Sequence, residues 1–224
     1  MIFLFKPSVL WDHREALISG AALGLGLGAL ASVLALMFGL AGWSLKASKR
    51  PGLRWMGYAY VESMRNTPVL LYIYLAYFGL PEIGLSPSPF NCALLALSVQ
   101  SGAYMAEIIR GAFTAIGEEQ RQAARALGLK PWYSLLHVEL PQMFRVAFPA
   151  LGNQVVSLIL GTSLASVITV PELTYQSQII GDATYQYFSV FGLDAIFYVV
   201  IVQIVNALWN IIERTWFGRW AGAV

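Results

Sequence analysis

The feature that most constrains this chain is a series of apolar runs of about 20 residues or more, beginning with ALISGAALGLGLGALASVLALMFGLAGWSL at residues 16–45. Roughly 20 apolar residues at a 1.5 Å rise cross a hydrocarbon core of about 30 Å, and a backbone inside that core must satisfy its own hydrogen bonds. Further runs occupy residues 57–80, 90–113, 146–169 and 190–212. The sequence therefore predicts an all-α integral membrane protein with five transmembrane helices. Composition agrees: 58% of the 224 residues are hydrophobic and 12% charged, too apolar for a soluble domain and too poor in basic residues for a nucleic-acid partner.

Lys and Arg fall on alternate connections. Lys46, Lys49, Arg50 and Arg54 follow the first run, Arg121, Arg125 and Lys130 follow the third with Arg110 and Arg145 at its edges, and Arg214 and Arg219 follow the last. The connections at 81–89 and 170–189 hold none. Because cytoplasmic connections retain positive charge, the asymmetry predicts an external N-terminus and a cytoplasmic C-terminus, the parity that an odd number of spans requires. Trp216 and Trp220 read as interfacial anchors of the last span. The expected organisation is an external segment at 1–15 without the cleavage site of a removable signal peptide, a membrane domain at 16–213 with a cytoplasmic loop at 114–142, and a cytoplasmic tail at 214–224.

That loop carries QRQAARALGLKPWYSLLHVELP at residues 120–141. Its spacing predicts a short helix over 120–129 with Ala123, Ala124, Leu127 and Gly128 on a small apolar side and Glu118, Arg121 and Arg125 on a charged one. Gly128 ahead of Pro131 is a stop signal, since glycine tolerates the left-handed turn that ends a helix and proline cannot continue one. About three turns are marginal in isolation, so the helix needs a surface to hold it. Docking into a partner and lying on the membrane both remain open; the alanine face favours docking, because surface-lying helices gain insertion energy from bulky Leu, Phe or Trp.

The pattern Ala123-Ala124, three residues, Gly128, nine residues, Val138-Glu139-Leu140-Pro141 resembles the Glu-Ala-Ala loop of ATP-binding-cassette importer permeases. Arg65-Asn66-Thr67-Pro68, Tyr77-Phe78-Gly79-Leu80-Pro81, Gly102-Ala103-Tyr104-Met105-Ala106-Glu107-Ile108-Ile109-Arg110-Gly111, Thr162-Ser163-Leu164-Ala165-Ser166-Val167-Ile168 and Glu172-Leu173-Thr174 are similar to the polar amino acid branch (histidine, glutamine, arginine type) of that family. The resemblance implies a permease in the bacterial inner membrane that transports an amino acid. It also implies a coupling helix, with Gln120, Gln122, Ala123, Ala124, Leu127, Gly128, Leu140 and Pro141 engaging a separate ATPase subunit. ATP and Mg would reside on that ATPase and no cofactor on this chain, which has no phosphate-binding G-x-x-x-x-G-K-[ST] run. The remaining implied partners are a second permease subunit, an external or periplasmic substrate-binding protein and membrane lipid.

Three departures from the family pattern stand out. Gln122 replaces the name-giving glutamate, Gly117 replaces a proline common at the helix entry, and Leu160-Gly161 replaces a Lys-Asp pair that many relatives carry before Thr-Ser-Leu. That pair is suited to the two charged ends of an amino acid, so its absence leads to the expectation of a heterodimer in which a paralogous permease makes most substrate contacts.

Ionisable and polar residues inside apolar runs mark either packing or a pathway. Glu62 with Arg65, and Glu107 with Arg110, are i, i+3 pairs near the same membrane face, read either as self-neutralising pairs or as a gate. Thr67, Gln100, Tyr104, Thr162 and Ser163 are the further candidates for gate or pathway, whereas Gln203 and Asn206 read as interhelical packing. Gly20, Gly24, Gly28 and Ser32 form a small stripe for helix packing. The polar segment from Glu172 reads either as a docking surface for the binding protein or as a solvated helix. His13 and His137 lie in different connections, so neither metal nor nucleophilic catalysis is expected, and Cys92 is the single cysteine. Permeation of another small solute and a non-transporting scaffold are the alternative functions.

Overall fold

The computed structural model describes residues 11–217, and all the regular structure among them is helical. In chain order the elements are α1 (Arg14–Lys46), α2 (Pro51–Arg65), α3 (Val69–Tyr74), a π segment (Leu75–Gly79), α4 (Leu80–Glu82), α5 (Pro89–Ala115), α6 (Gly117–Ala126), α7 (Pro131–Ser134), a second π segment (Leu135–Glu139), α8 (Leu140–Gly161), a 3-10 segment (Thr162–Ile168), α9 (Leu173–Thr184) and α10 (Tyr187–Phe217). Most of the expected external segment, and the anchors Arg219 and Trp220, lie outside the described residues.

The most extensive packing is between α1 and α5. Lipid is as apolar as leucine, so helices in a bilayer associate through close van der Waals contact, which small residues permit. A Cβ built on Gly102 would stand 2.5 Å from Phe38 Cβ and 3.0 Å from the Ala35 carbonyl oxygen. On Gly39 it would stand 2.8 Å from Met105 Cβ. The stripe expected at Gly20, Gly24 and Gly28 is buried and serves other neighbours: Gly20 lies against the backbone of Glu172 and Leu173, and Gly28 against Ile159. Around these contacts Leu27, Ala31 and Ala35 of α1 meet Leu97, Met105 and Ile109 of α5 and Met143, Ala147 and Leu158 of α8 in one core.

Among the described residues four helical stretches are long and apolar enough to cross a membrane: Arg14–Lys46, Pro89–Ala115, Pro131–Ile168 and Tyr187–Trp216. The span expected over 57–80 is broken, and its apolar part is the shorter stretch Val69–Glu82. The cause is local. Pro68 has no N–H and disfavours helical geometry in the residue before it, so α2 ends at Arg65 and α3 restarts after Pro68. The fourth expected span also changes character, because α8 narrows after Gly161 into the 3-10 segment, which Thr169 closes at φ 64. The segment from Glu172 forms α9, which buries one face, with Leu173, Ser177, Ile180 and Gly181 against α1 and α10, and leaves Gln178, Ile179, Asp182 and Ala183 exposed.

Gly102→Val is expected to lower stability by about 1–3 kcal/mol by overpacking the α1–α5 contact. Gly26→Ala, where no atom lies within 4 Å, should be neutral or slightly stabilising. Thermal unfolding in one detergent compares the two.

Candidate functional site

At the end of the bundle that carries α6, five charged side chains converge. Lys46, buried in the last turn of α1, contacts Glu107 Oε1 and lies 3.7 Å from Glu62 Oε1. Glu107 Oε2 accepts from Arg110 Nε at 2.8 Å and lies 3.9 Å from Arg65 Nη1. Glu107 is thus the anionic centre of three cations. The Glu107–Arg110 pair forms as its spacing predicts. Glu62 and Arg65 do not pair with each other, because their side chains reach across to α1 and α5 respectively. Lys46, which the sequence marked only as an orientation signal, is the residue that joins the two acids.

The break between α2 and α3 leaves backbone carbonyls without helical partners. Two side chains one turn apart on α5 satisfy them: Gln100 Nε2 donates to the Thr67 carbonyl at 2.9 Å, and the Tyr104 hydroxyl to the Arg65 carbonyl at 3.0 Å. The Arg65 guanidinium also lies over the Tyr104 ring at 5.6 Å, while its buried Nε has no hydrogen-bond partner. Gln100 and Tyr104 further line a cavity of about 280 Å3 together with Ser101, Gln154, Ser157 and Gly161. Its carboxamides and hydroxyls supply neutral donors and acceptors and no formal charge.

Thr162 and Ser163 are not in this lining. The Thr162 hydroxyl donates to the Ile159 carbonyl at 2.7 Å and lies buried near Gly24 of α1; the Ser163 hydroxyl donates to the Leu160 carbonyl at 2.8 Å. Each hydroxyl bonds back onto its own chain, which suits the switch from α to 3-10 geometry beside it. Gln203 is exposed on α10, and neither it nor Asn206 makes a hydrogen bond among the described residues.

The loop helix α6 forms at Gly117–Ala126 and stops as expected, with Gly128 at φ +73. Gly117 stands at φ +71, a conformation closed to proline, so its departure from the family pattern reflects a different entry turn. The small side divides in two. Ala124 is buried against the chain, whereas Gln120, Ala123 and Leu127 face outward, Leu127 with 79% exposure. Gln122 is exposed and bonds to nothing among the described residues.

Arg121 fastens the helix from within: Nε donates to Glu139 Oε2 at 3.0 Å, Nη2 to the Phe113 carbonyl at 3.3 Å, and Nη1 lies 3.5 Å from Glu118. Ser134 adds a bond to Glu139 at 3.3 Å. Leu140 and Pro141 open α8 directly after this anchor. One guanidinium therefore joins α6 to the end of α5 and to the start of α8. The sequence placed Glu118, Arg121 and Arg125 on one charged side, where they pair, but no sequence signal marked the bonds to Phe113 and Glu139.

At the opposite end Glu172 caps α9, accepting from the Tyr175 and Thr174 N–H groups at 2.8 and 3.0 Å and from the Tyr198 hydroxyl at 3.0 Å. Thr174 donates onward to Asp194 at 3.3 Å. Glu172 is fully buried, and burial pushes its carboxyl up to about 7 against the pull of those three donors.

Lys46→Met is expected to destabilise the fold by about 1–3 kcal/mol, less than for an isolated buried pair because Arg110 and Arg65 still face Glu107. In a double-mutant cycle, Lys46→Met with Glu107→Gln should cost less than the sum of the two, and additivity would argue against a shared cluster. For Glu172, the unfolded carboxyl loses its proton near its ordinary value of 4.5 and the folded one near 7. Between those values the folded chain holds a proton that the unfolded chain lacks, so stability falls as pH rises through the window and the loss is complete above about 7. The unfolding temperature should therefore drop from pH 5 to pH 8 more in the parent protein than in Glu172→Gln.

The family described as binding-protein-dependent transport system inner membrane component matches residues 31–217. The glutamine transport system permease protein GlnP of Escherichia coli (strain K12) is 35% identical over 216 residues, covering 94% of this chain and 97% of its own length. A probable amino-acid ABC transporter permease protein of Bacillus subtilis, YckA, is 39% identical over 169 residues, 75% of each chain. Among solved structures, a chain from the crystal structure of an amino acid ABC transporter with histidines superposes with a TM-score of 0.89 at 32% identity, covering 96% of this chain and 100% of that one.

Proposed function

The chain belongs to the family of binding-protein-dependent transport system inner membrane components, and from that membership we propose that it is a permease subunit of an ATP-binding-cassette importer for amino acids. The observation that carries the reading is the setting of α6. Its outward face, Gln120, Ala123 and Leu127, is left open by the chain itself, while Arg121 ties its inward face to both α5 and α8. A push on α6 reaches two membrane-crossing helices through one side chain.

In this reading α6 is the coupling helix and lies in the cytoplasm, with the N-terminus outside and five membrane-embedded segments, the second of them broken. Separate ATPase subunits bind ATP and Mg; closure of their dimer moves α6, and the helices rock between outward-open and inward-open states. The break at residues 66–68 lets α2 and α3 move as separate rods about Gln100 and Tyr104. The cluster around Glu107 sits where such motion exchanges ion pairs, and the polar cavity beside it is a segment of the pathway. An external binding protein delivers the substrate to the end that carries α9. The amino acid class rests on the names of the relatives. With Leu160-Gly161 in place of a charged pair and an uncharged cavity lining, a paralogous permease in a heterodimer supplies the groups that hold the ends of the substrate. Gln122 meets the ATPase with a neutral hydrogen bond.

The test is uptake of labelled glutamine and other amino acids by the complete complex in vesicles. Uptake should require internal ATP. Arg121→Ala should reduce transport per ATP hydrolysed by about tenfold, within the range of allosteric coupling energies, while the ATPase subunit still co-purifies. Normal ATPase association without any uptake would favour the scaffold reading, and ATP-driven uptake restricted to a different class of solute would reassign the substrate.

A further inference from the structure

On the face formed by α1, α8 and α10, at the α6 end of the bundle, a groove encloses about 600 Å3. Its walls are Leu36, Phe144, Phe148, Trp209 and Trp216, and Arg145 stands at its rim. The floor is built with care for shape. Trp209 Nε1 donates to the Phe148 carbonyl at 3.0 Å, the two rings stack at 4.5 Å, and Gly152 leaves room for the indole, since a Cβ there would stand 2.5 Å from Nε1. Arg145 is exposed and makes no ion pair or hydrogen bond among the described residues, in contrast to Arg110 and Arg121.

The groove is amphiphilic along the helix axes. Leu36 lies about 15 Å along α1 from Lys46, which is the depth of one leaflet in a hydrocarbon core of about 30 Å. The cation and the exposed Trp216 lie at the shallow end, where tryptophan and arginine meet headgroups, and aromatic and aliphatic carbon continues to the deep end. An apolar protein helix seated here would bury Arg145 without a counter-charge, which is costly, whereas a phosphodiester supplies one and its acyl chain fills the apolar remainder. We propose that this groove is a binding site for an anionic phospholipid of the leaflet on the α6 side, with its phosphate on Arg145 and one acyl chain against Phe148 and Trp209. The leaflet assignment rests on the permease reading above. Because Pro141 and Gln142, at the start of α8, also line the groove, an occupying lipid touches the segment that Arg121 links to α6.

Native mass spectrometry of the complete detergent-extracted complex, titrated with phosphatidylglycerol or phosphatidylcholine, tests the site. Phosphatidylglycerol should be retained preferentially, Arg145→Gln should weaken its retention about fivefold with little effect on phosphatidylcholine, and Arg145→Lys should keep the preference. Leu36→Trp, which fills the deep end without changing charge, should weaken retention of both lipids. Equal retention of the two lipids by the parent complex, or undiminished phosphatidylglycerol on Arg145→Gln, overturns the proposal. A groove variant that changes the number of protein chains in the complex also overturns it and makes the face a subunit interface. ATP-driven uptake by the same complex reconstituted in vesicles reports separately on the permease reading: uptake retained without lipid preference defeats the lipid site alone.

Discussion

The close approach of α1 and α5 at Gly39 and Gly102 is the contact on which the rest of the structure depends. In a bilayer no hydrophobic force drives one apolar helix onto another, so two backbones that nearly touch provide what burial provides in water. The same contact sets the register of the charged cluster. Lys46 and Glu107 lie beyond the paired glycines in the same direction along their helices, and they meet because the helices above them can approach no differently. A larger side chain at either glycine would separate the helices and the ion pairs together.

A second constraint is the backbone itself. Pro68 interrupts a helix in apolar surroundings, where every freed carbonyl needs a donor. Gln100 and Tyr104 provide two, which gives both residues a structural role beside their place on the cavity wall. Their polarity is explained before any ligand is considered. Gln154, on the same cavity wall, makes no such bond among the described residues.

Ionisable groups are buried near both ends of the bundle and handled differently. Near α6 acids and bases neutralise each other around Glu107; near α9 Glu172 and Asp194 meet no base among the described residues, and Glu172 is held by backbone N–H groups and a phenol. The loop shows a similar division of labour. Gln122, one of the three departures from the family pattern, is outward and unbonded among the described residues, while mechanical attachment falls to Arg121 and Glu139. Adding a carboxylate at Gln122 would alter what α6 offers a partner and leave its anchoring unchanged.

The sequence by itself determined the membrane class, the positions of four of the apolar helices, the stop at Gly128 and the Glu107–Arg110 pair. These depend on runs, single-residue torsional preferences or neighbours one turn apart, and such local quantities are written in the order of residues. It did not reveal that residues 57–80 would break, although Pro68 was visible, because hydropathy averages over a kink whose stability comes from α5. Nor did it reveal Lys46 between Glu62 and Glu107, Thr162 turned toward α1, or Arg121 reaching Phe113 and Glu139. Those were decided by tertiary structure, because which charged or polar groups meet depends on how far apart the glycine contacts hold the helices and on how each is rotated.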